Sequence, residues 1–222
     1  MHIRLFVSFA LVFTGCTDAI PILALGDSVM TWNEEEGASI PDVVSQELEL
    51  DVQNNAVAGA YLTAEDNGFF GFLGSDIRSQ YVGGEWEWII LNGGANDLND
   101  ECQCQDCSEN LNSMIDEEGE TGDLVHFIEQ MISADHRVAP MNYYNVSQDA
   151  EYGFANCIDE IASLSERTRL FADRVDELIL IEASEVMSPE ITPDAYDEDN
   201  AHPSMEGSRL IGSLFAEKIS DN

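Results

Sequence analysis

Residues 21–30 read Pro-Ile-Leu-Ala-Leu-Gly-Asp-Ser-Val-Met and are the most informative stretch of the chain. A short apolar run stops abruptly at Gly26-Asp27-Ser28, which is typical of a buried strand that enters a tight turn. We therefore expect Ser28 at the carboxyl end of a strand, where open α/β sheets bind their ligands. The residues after the turn favour a helix start, which would direct the Ser28 backbone N–H towards developing negative charge.

Strand and helix signals alternate along the rest of the chain. The strand signals are 21–27, 51–57, 86–92, 137–143 and 178–184, and the helix signals are about 39–49, 74–81, 122–133, 155–176 and 204–219. This alternation predicts an α/β fold with a parallel five-stranded sheet covered by helices on both faces. No linker or repeat divides the chain, which predicts a single domain after the N-terminal segment. A polar, acidic insertion at 99–122 follows the third strand.

Two further stretches end predicted strands with glycine and asparagine. Residues 54–60 contain Asn54 and Gly59, and a glycine there lets the backbone approach a ligand and present an N–H. Residues 91–97 read Leu-Asn-Gly-Gly-Ala-Asn-Asp, so that Asn96 could direct an amide donor into the same cleft. Each stretch taken alone is also compatible with an ordinary turn.

A fourth stretch, Asp199-Asn-Ala-His-Pro203, precedes the predicted C-terminal helix. An aspartate three residues before a histidine can hold one imidazole nitrogen and leave the other free to take a proton from a serine. Because all four stretches follow strands or lie in the last loop of the sheet, we expect Ser28, Asn96, Asp199 and His202 to meet at one edge.

The four stretches together resemble the sequence blocks of the SGNH hydrolases, the GDSL-type esterase and lipase superfamily. The resemblance covers about residues 21–220 and implies a flavodoxin-like three-layer α/β/α sandwich, in agreement with the alternation. It implies that Ser28 is the nucleophile, that His202 is the general base and acid, and that Asp199 orients His202. The resemblance also implies that the chain is an exported bacterial member of this superfamily.

The same resemblance implies an oxyanion hole and the absence of a cofactor. The hole would consist of the backbone N–H groups of Ser28 and Gly59 and the side chain of Asn96. No metal or organic cofactor is expected. Two features depart from the family pattern: Val29 stands where many relatives have leucine, and the insertion 99–122 carries three cysteines.

The charge of the chain limits its partners. It has 44 acidic and 8 basic residues and a net charge of −36. Such a surface repels nucleic acid and anionic membranes, and it suits high ionic strength, where self-repulsion is screened. We therefore expect no nucleic-acid partner, while the resemblance implies a small-molecule ester substrate.

The N-terminus has the pattern of an export signal. A basic start, an apolar run at 5–13 and small residues before Cys16 predict a signal peptide at 1–15. Cleavage before Cys16 would make a lipoprotein of the periplasm or cell envelope, attached to the membrane only through lipid on that cysteine. Phe13 fits the lipoprotein pattern poorly, so secretion without lipid remains an alternative.

Four cysteines remain if Cys16 is the processing site, namely Cys102, Cys104, Cys107 and Cys157. An even number in an exported chain predicts two disulfides, with three possible pairings. Their spacing is also compatible with a zinc site.

The sequence thus predicts a serine ester hydrolase for small acyl esters. The alternatives are a carbohydrate O-acetyl esterase or acetyltransferase, a lysophospholipase or thioesterase of the same fold, and a surface lipoprotein that keeps the scaffold without activity. The apolar segment 68–74 is expected to be either a pocket wall or a core plug.

Overall fold

The structure is a computed structural model that describes residues 21–63 and 75–222. The predicted signal peptide 1–15, the lipidation candidate Cys16 and the apolar segment 68–74 lie outside the described residues. In the part of the chain that the structure describes, no helix is sufficiently long and apolar to cross a membrane.

Five parallel strands form one sheet. They are β1 Ile22–Leu25, β2 Val52–Asn54, β3 Trp88–Leu91, β4 Arg137–Asn142 and β5 Ile181–Glu182. The strand order is β2-β1-β3-β4-β5, and every pair of neighbours is parallel. This is the flavodoxin-like order, which confirms the predicted fold class.

The central strands are buried on both faces, which explains their continuous apolar sequences. All four residues of β1 and all four of β3 are at most 2% exposed. Strands covered by helices on both sides lack the alternation of half-buried strands. The strands are shorter than predicted, because the chain leaves the sheet at Gly26 and after Asn54 to form the loops of the site.

Eight α-helices occur in the described residues. They are α1 Ser28–Thr31, α2 Ile40–Leu48, α3 Ile77–Gln80, α4 Ala95–Glu101, α5 Ser108–Met114, α6 Asp123–Ser133, α7 Ile158–Ala172 and α8 Met205–Ser220. Helices α2 and α8 pack together in one outer layer, while α4 to α7 contact one another in the other. Where α8 packs on α2, a Cβ on Gly212 would lie 2.5 Å from the Cβ of Val43. Glycine at position 212 therefore permits the close approach of the two helices.

Local capping explains why some helix boundaries agree well with the sequence. Ser39 and Asp42 form a reciprocal capping box at the start of α2, with Pro41 in its first turn. Ser204 caps α8 by accepting the N–H of Gly207. Such short-range signals are visible in the sequence, so both starts fall within one residue of the prediction.

Helix α7 differs from its prediction, which ran from 155 to 176. It begins at Ile158, after a 3₁₀ turn at Phe154–Asn156, and ends at Ala172. Arg167 is buried, and its guanidinium donates to the side chain of Asn112 and the carbonyl of Ile115, both at 2.8 Å. Asn112 lies in α5 and Ile115 follows it directly. Both belong to the insertion 99–122, for which the sequence predicts only a polar, acidic segment.

The four cysteines form two disulfides, Cys102–Cys107 and Cys104–Cys157. The first closes a short turn after α4. The second ties the insertion to the start of α7. Sulfur atoms joined in this way are not thiolates available to zinc, so the structure favours the disulfide alternative.

Removing Cys104–Cys157 should cost more stability than removing Cys102–Cys107. The sequence separations of 53 and 5 residues correspond to losses of about 4 and about 2 kcal/mol if loop closure in the unfolded chain dominates. Urea unfolding of the two double alanine variants, without reductant, measures the difference, and each pair is the control for the other. Equal losses would contradict the loop-closure explanation, and titratable thiols on the unreduced mature chain would contradict the pairing.

Candidate active site

The turn after β1 is set by a close contact with β3. Gly26 has a φ of +145°, and a Cβ there would lie 2.0 Å from the side-chain oxygen of Asn92, so only glycine fits. Gln80 holds the same peptide from the other direction, because its amide accepts the Gly26 N–H at 2.7 Å and donates to the Gly26 carbonyl at 2.9 Å. These contacts fix the turn and place Ser28 at the start of α1.

Asp27 is buried beneath this turn. Its carboxylate accepts hydrogen bonds from the Val29 N–H at 2.9 Å, the Asn92 amide at 2.7 Å and the Tyr143 hydroxyl at 2.5 Å. Burial raises the pKa of Asp27, although these hydrogen bonds oppose the effect. Burial and the nearby Asp27 raise the pKa of Tyr143, so the phenol keeps its proton and donates it.

Ser28, His202 and Asp199 form a continuous line of hydrogen bonds. The Ser28 hydroxyl lies 2.8 Å from Nε2 of His202, and Nδ1 of His202 lies 2.7 Å from the Asp199 carboxylate. His202 and Asp199 are buried, while Ser28 is partly exposed. With a proton on Nδ1, the imidazole presents an acceptor to the serine, which is the geometry of a general base.

The loop before α8 holds Asp199 in its ionised form. Its second carboxylate oxygen accepts the backbone N–H groups of Ala201 and His202, both at 2.9 Å. Burial opposes ionisation, but the hydrogen bonds from the His202 backbone and ring and from Ala201 outweigh it, so the pKa of Asp199 lies below its usual value. An ionised Asp199 keeps His202 in the tautomer that leaves Nε2 free.

The lowered pKa of Asp199 predicts a pH dependence of stability. The carboxylate stabilises the fold above its unfolded pKa of about 3.9, and that contribution is lost as the pH falls through the lower folded value. The difference in unfolding free energy between the wild type and Asp199→Asn should shrink as the pH falls from about 5 to about 2. Urea unfolding at constant salt across this range measures it. A difference that persists unchanged at the acid end would contradict the assignment.

Asn96 and Gly59 lie at the same edge of the sheet. The Asn96 side-chain amide donates one hydrogen bond to the carbonyl of Ala60, at 2.9 Å, and retains a second hydrogen for another acceptor. Gly59, the preceding residue, has a φ of +75°. Within residues 21–63 and 75–222, neither the Ser28 nor the Gly59 backbone N–H has a hydrogen-bond partner. These donors remain available to a ligand.

A small pocket opens at Ser28. Its volume is about 30 Å³, and Ser28, His202 and Asn96 line it together. The remaining wall is largely apolar, and it is formed by Val29, Ala95, Tyr143, Tyr144, Val146, Phe154, Ile161 and Ala201, together with the buried Asp27. Space of this size holds about two water-sized groups, so a short apolar substituent fits.

Several site residues were not singled out from the sequence. Gln80 and Tyr143 support the Ser28 turn, and Trp32 stacks on His202 with ring centroids 3.7 Å apart. None of them lies in a recognisable local motif, because each acts on a residue far away in the chain. In the described part of the chain, no cluster of three or more His, Cys, Asp or Glu residues is arranged for a metal ion.

The parallel sheet carries the hydrogen-bonded line Ser28–His202–Asp199 at its carboxyl edge, which is the arrangement of a serine hydrolase. The chain belongs to the GDSL-like lipase/acylhydrolase family, whose sequence model matches residues 24–210. Comparison with curated protein sequences gives no match. The match to the family model confirms the recognition of an SGNH hydrolase from the sequence.

Solved structures with low sequence identity share the fold. One described as an SGNH hydrolase from Slackia heliotrinireducens has a TM-score of 0.57 at 19% identity, over 90% of this chain and 99% of that one. A member of the lipolytic G-D-S-L family from Veillonella parvula has a TM-score of 0.64 at 16% identity, over 92% and 100%. A GDSL-like lipase from Bacteroides thetaiotaomicron has a TM-score of 0.61 at 12% identity, over 90% and 88%.

Proposed function

We propose that the protein hydrolyses small carboxylic esters through an acyl-enzyme intermediate. The hydrogen-bonded line from Asp199 through His202 to the partly exposed Ser28 hydroxyl is the observation that carries this proposal. A serine hydroxyl is a weak nucleophile until a positioned base takes its proton. Nε2 of His202, at 2.8 Å, is in reach to do so.

The first half of the proposed reaction forms the acyl-enzyme. The Ser28 oxygen attacks the ester carbonyl while its proton moves to Nε2 of His202, and Asp199 stabilises the resulting imidazolium. The backbone N–H groups of Ser28 and Gly59 and the free amide hydrogen of Asn96 stabilise the oxyanion. His202 then gives its proton to the departing alcohol, which leaves the acyl group on Ser28.

Water completes the cycle. His202 takes a proton from a water molecule, the hydroxide attacks the acyl-enzyme, and the proton returns to Ser28 as the carboxylic acid leaves. Each step uses side chains and backbone groups of this chain, so we propose that the enzyme works without a cofactor.

Removal of the nucleophile should abolish turnover. Ser28→Ala should eliminate hydrolysis of 4-nitrophenyl acetate and leave the thermal unfolding temperature close to that of the wild type, because one partly exposed oxygen is lost. Ser163→Ala, on α7 and outside the pocket, is the matched control. Wild-type turnover by purified Ser28→Ala would overturn the proposal and favour a scaffold without this activity.

Removal of the amide donor should act on the transition state. Asn96→Ala is expected to lower kcat by about 10²-fold with little change in KM, because the oxyanion forms only during reaction. Steady-state kinetics with 4-nitrophenyl acetate separates the two constants. A rise in KM at unchanged kcat would instead assign Asn96 to substrate binding.

The small pocket predicts a preference for short acyl chains. Across 4-nitrophenyl esters from acetyl to palmitoyl, kcat/KM should be highest at the short end, because about 30 Å³ lies between Ser28 and the apolar wall. Phe154→Ala removes one side of that wall and should shift the maximum towards longer chains. A wild-type maximum at long chains would favour a lipase.

We also propose that the protein is exported, with residues 1–15 removed and Cys16 as the new N-terminus. The basic and apolar N-terminal pattern and the two disulfides support this, because disulfides persist in oxidising compartments. The mass of the protein from its native cell tests cleavage, and added acyl mass tests lipidation. An intact N-terminus would contradict export by this route.

A further inference from the structure

A larger cavity adjoins the Ser28 pocket. Its volume is about 630 Å³, and it lies between the loop after β4, helix α7 and the residues after β5. Tyr143, Tyr144, Val146 and Ile161 line both spaces, so the cavity and the Ser28 pocket lie next to each other. The volume lies within the range of small-molecule sites, about 300–1,000 Å³. A molecule bound there would lie beside the Ser28 pocket.

The wall of this cavity is rich in uncharged polar groups. Hydroxyl and amide side chains line it, namely Ser147, Ser165, Ser184, Asn145 and Gln148. A long alkyl chain would remove these groups from water without giving them hydrogen bonds, which costs free energy. The cavity therefore suits a ligand that carries its own hydroxyl groups.

The charges of the wall disfavour an anionic ligand. Arg169 is the cavity's single basic residue in the described part of the chain, and it is already paired with Glu182, through Nε at 2.6 Å and Nη2 at 3.0 Å. The other two charged residues are Asp149 and Glu190, both acidic and both exposed. At an exposed rim, water and salt weaken their attraction for a cation.

We propose that this cavity binds the alcohol part of the substrate and that this alcohol is neutral and polyhydroxylated, like a sugar. The short acyl group occupies the apolar pocket at Ser28, and the hydroxyl groups of the alcohol contact Ser184, Gln148 and the paired Arg169 and Glu182. The proposal rests on the ester hydrolysis proposed above, and it adds the chemical class of the leaving group.

Three acetyl esters that differ only in their alcohol test which kind of alcohol the cavity binds. Glucose 6-acetate, ethyl acetate and acetylcholine carry the same acyl group on a polyol, a small alkyl alcohol and a cation. We expect kcat/KM to be at least tenfold higher for glucose 6-acetate than for the other two. Preference for acetylcholine would show that the acidic rim selects a cation, and equal values would show that the cavity does not contact the alcohol. Either result overturns the proposal.

A cavity-filling variant links the preference to this site. Ala162 lies on α7 at an exposed position in the cavity wall, so Ala162→Tyr should raise KM for glucose 6-acetate at least tenfold more than it raises KM for ethyl acetate. Ser163→Tyr, on the next residue and outside the cavity wall, is the matched control and should change neither. Equal effects of Ala162→Tyr on both esters would overturn the assignment.

The proposed ester hydrolysis and the proposed role of the larger cavity can be contradicted separately. Ester hydrolysis that is absent, or that survives in Ser28→Ala, would remove the proposed function and the cavity assignment together. Hydrolysis of ethyl acetate that depends on Ser28, without preference for the polyol ester, would leave the proposed function standing and overturn the cavity assignment alone.

An independent feature concerns His202. The indole of Trp32 stacks on its imidazole with ring centroids 3.7 Å apart and an interplanar angle of 4°. Nε1 of Trp32 donates to the carboxylate of Asp197 at 2.6 Å, and the Asp197 N–H donates to the His202 carbonyl at 2.9 Å. The ring that covers His202 is thus fixed to the loop that carries His202.

We infer that Trp32, held by Asp197, is a positioning residue for His202. A hydrogen bond to Ser28 and one to Asp199 fix two points of the imidazole, and the stacked indole fixes its plane, so that both bonds stay aligned. The indole face also attracts the imidazolium that forms during turnover. Trp32 therefore acts through His202 and does not touch the reacting atoms.

Kinetics and nuclear magnetic resonance test this role. Trp32→Leu should lower kcat at least tenfold with KM unchanged, while Trp32→Phe, which keeps an aromatic face, should restore most of kcat. In Trp32→Leu the Nδ1 proton of His202 should exchange faster with solvent, a readout that does not require turnover. Equal kcat values for the two variants, or an unchanged exchange rate, would overturn the inference.

Discussion

The contact between the Gly26 peptide and the Asn92 side chain constrains the whole site. β1 and β3 are neighbours in the sheet, and Asn92 follows directly after β3. Because Gly26 has no side chain, Asn92 can lie against its backbone and still bind the buried Asp27 carboxylate. The turn between strand and helix is therefore rigid, and Ser28 points at His202 without a rearrangement of the loop.

Buried carboxylates organise the site, although most of the acidic residues are a solvated coat. Asp27 holds the turn before Ser28, Asp199 holds His202, and Asp97 accepts hydrogen bonds from the N–H groups of Leu62 and Thr63 and from the Thr63 hydroxyl. Each has several donors, as a buried charge requires. The chain thus has two kinds of acidic residue: a few that are buried and fix loops, and many that lie on the exposed surface.

The insertion that departs from the family pattern is tied to the helix that lines both the pocket and the larger cavity. Cys104–Cys157 ties the insertion after α4 to the start of α7. Helix α7 contributes Ile161 to both cavities, and Tyr152, just before it, lies edge-on to His202 at 6.1 Å. The hydrogen-bonded line from Ser28 to Asp199 lies at the carboxyl edge of the sheet, whereas the cavity proposed for the substrate alcohol is lined by α7 and the loops beside it.

The sequence by itself determined the fold class, the five strands, most of the long helices and the residues Ser28, Asp199 and His202, which lie in hydrogen-bond contact in the structure. These are local signals: apolar runs, capping residues such as Ser39, and short motifs in which Asp199 and His202 are only three residues apart. Each can be recognised without knowledge of its partner. The order of the motifs along the chain then placed them at one edge, because parallel strands end together.

Only the tertiary structure decided which distant residues support that site. Gln80 clamps Gly26 across 54 residues, Tyr143 reaches Asp27 across 116, and Trp32 meets Asp197 across 165. The disulfide pairing and the burial of Arg167 belong to the same category. Such contacts depend on how the helices and loops pack in three dimensions, and a single sequence carries no local pattern that marks them.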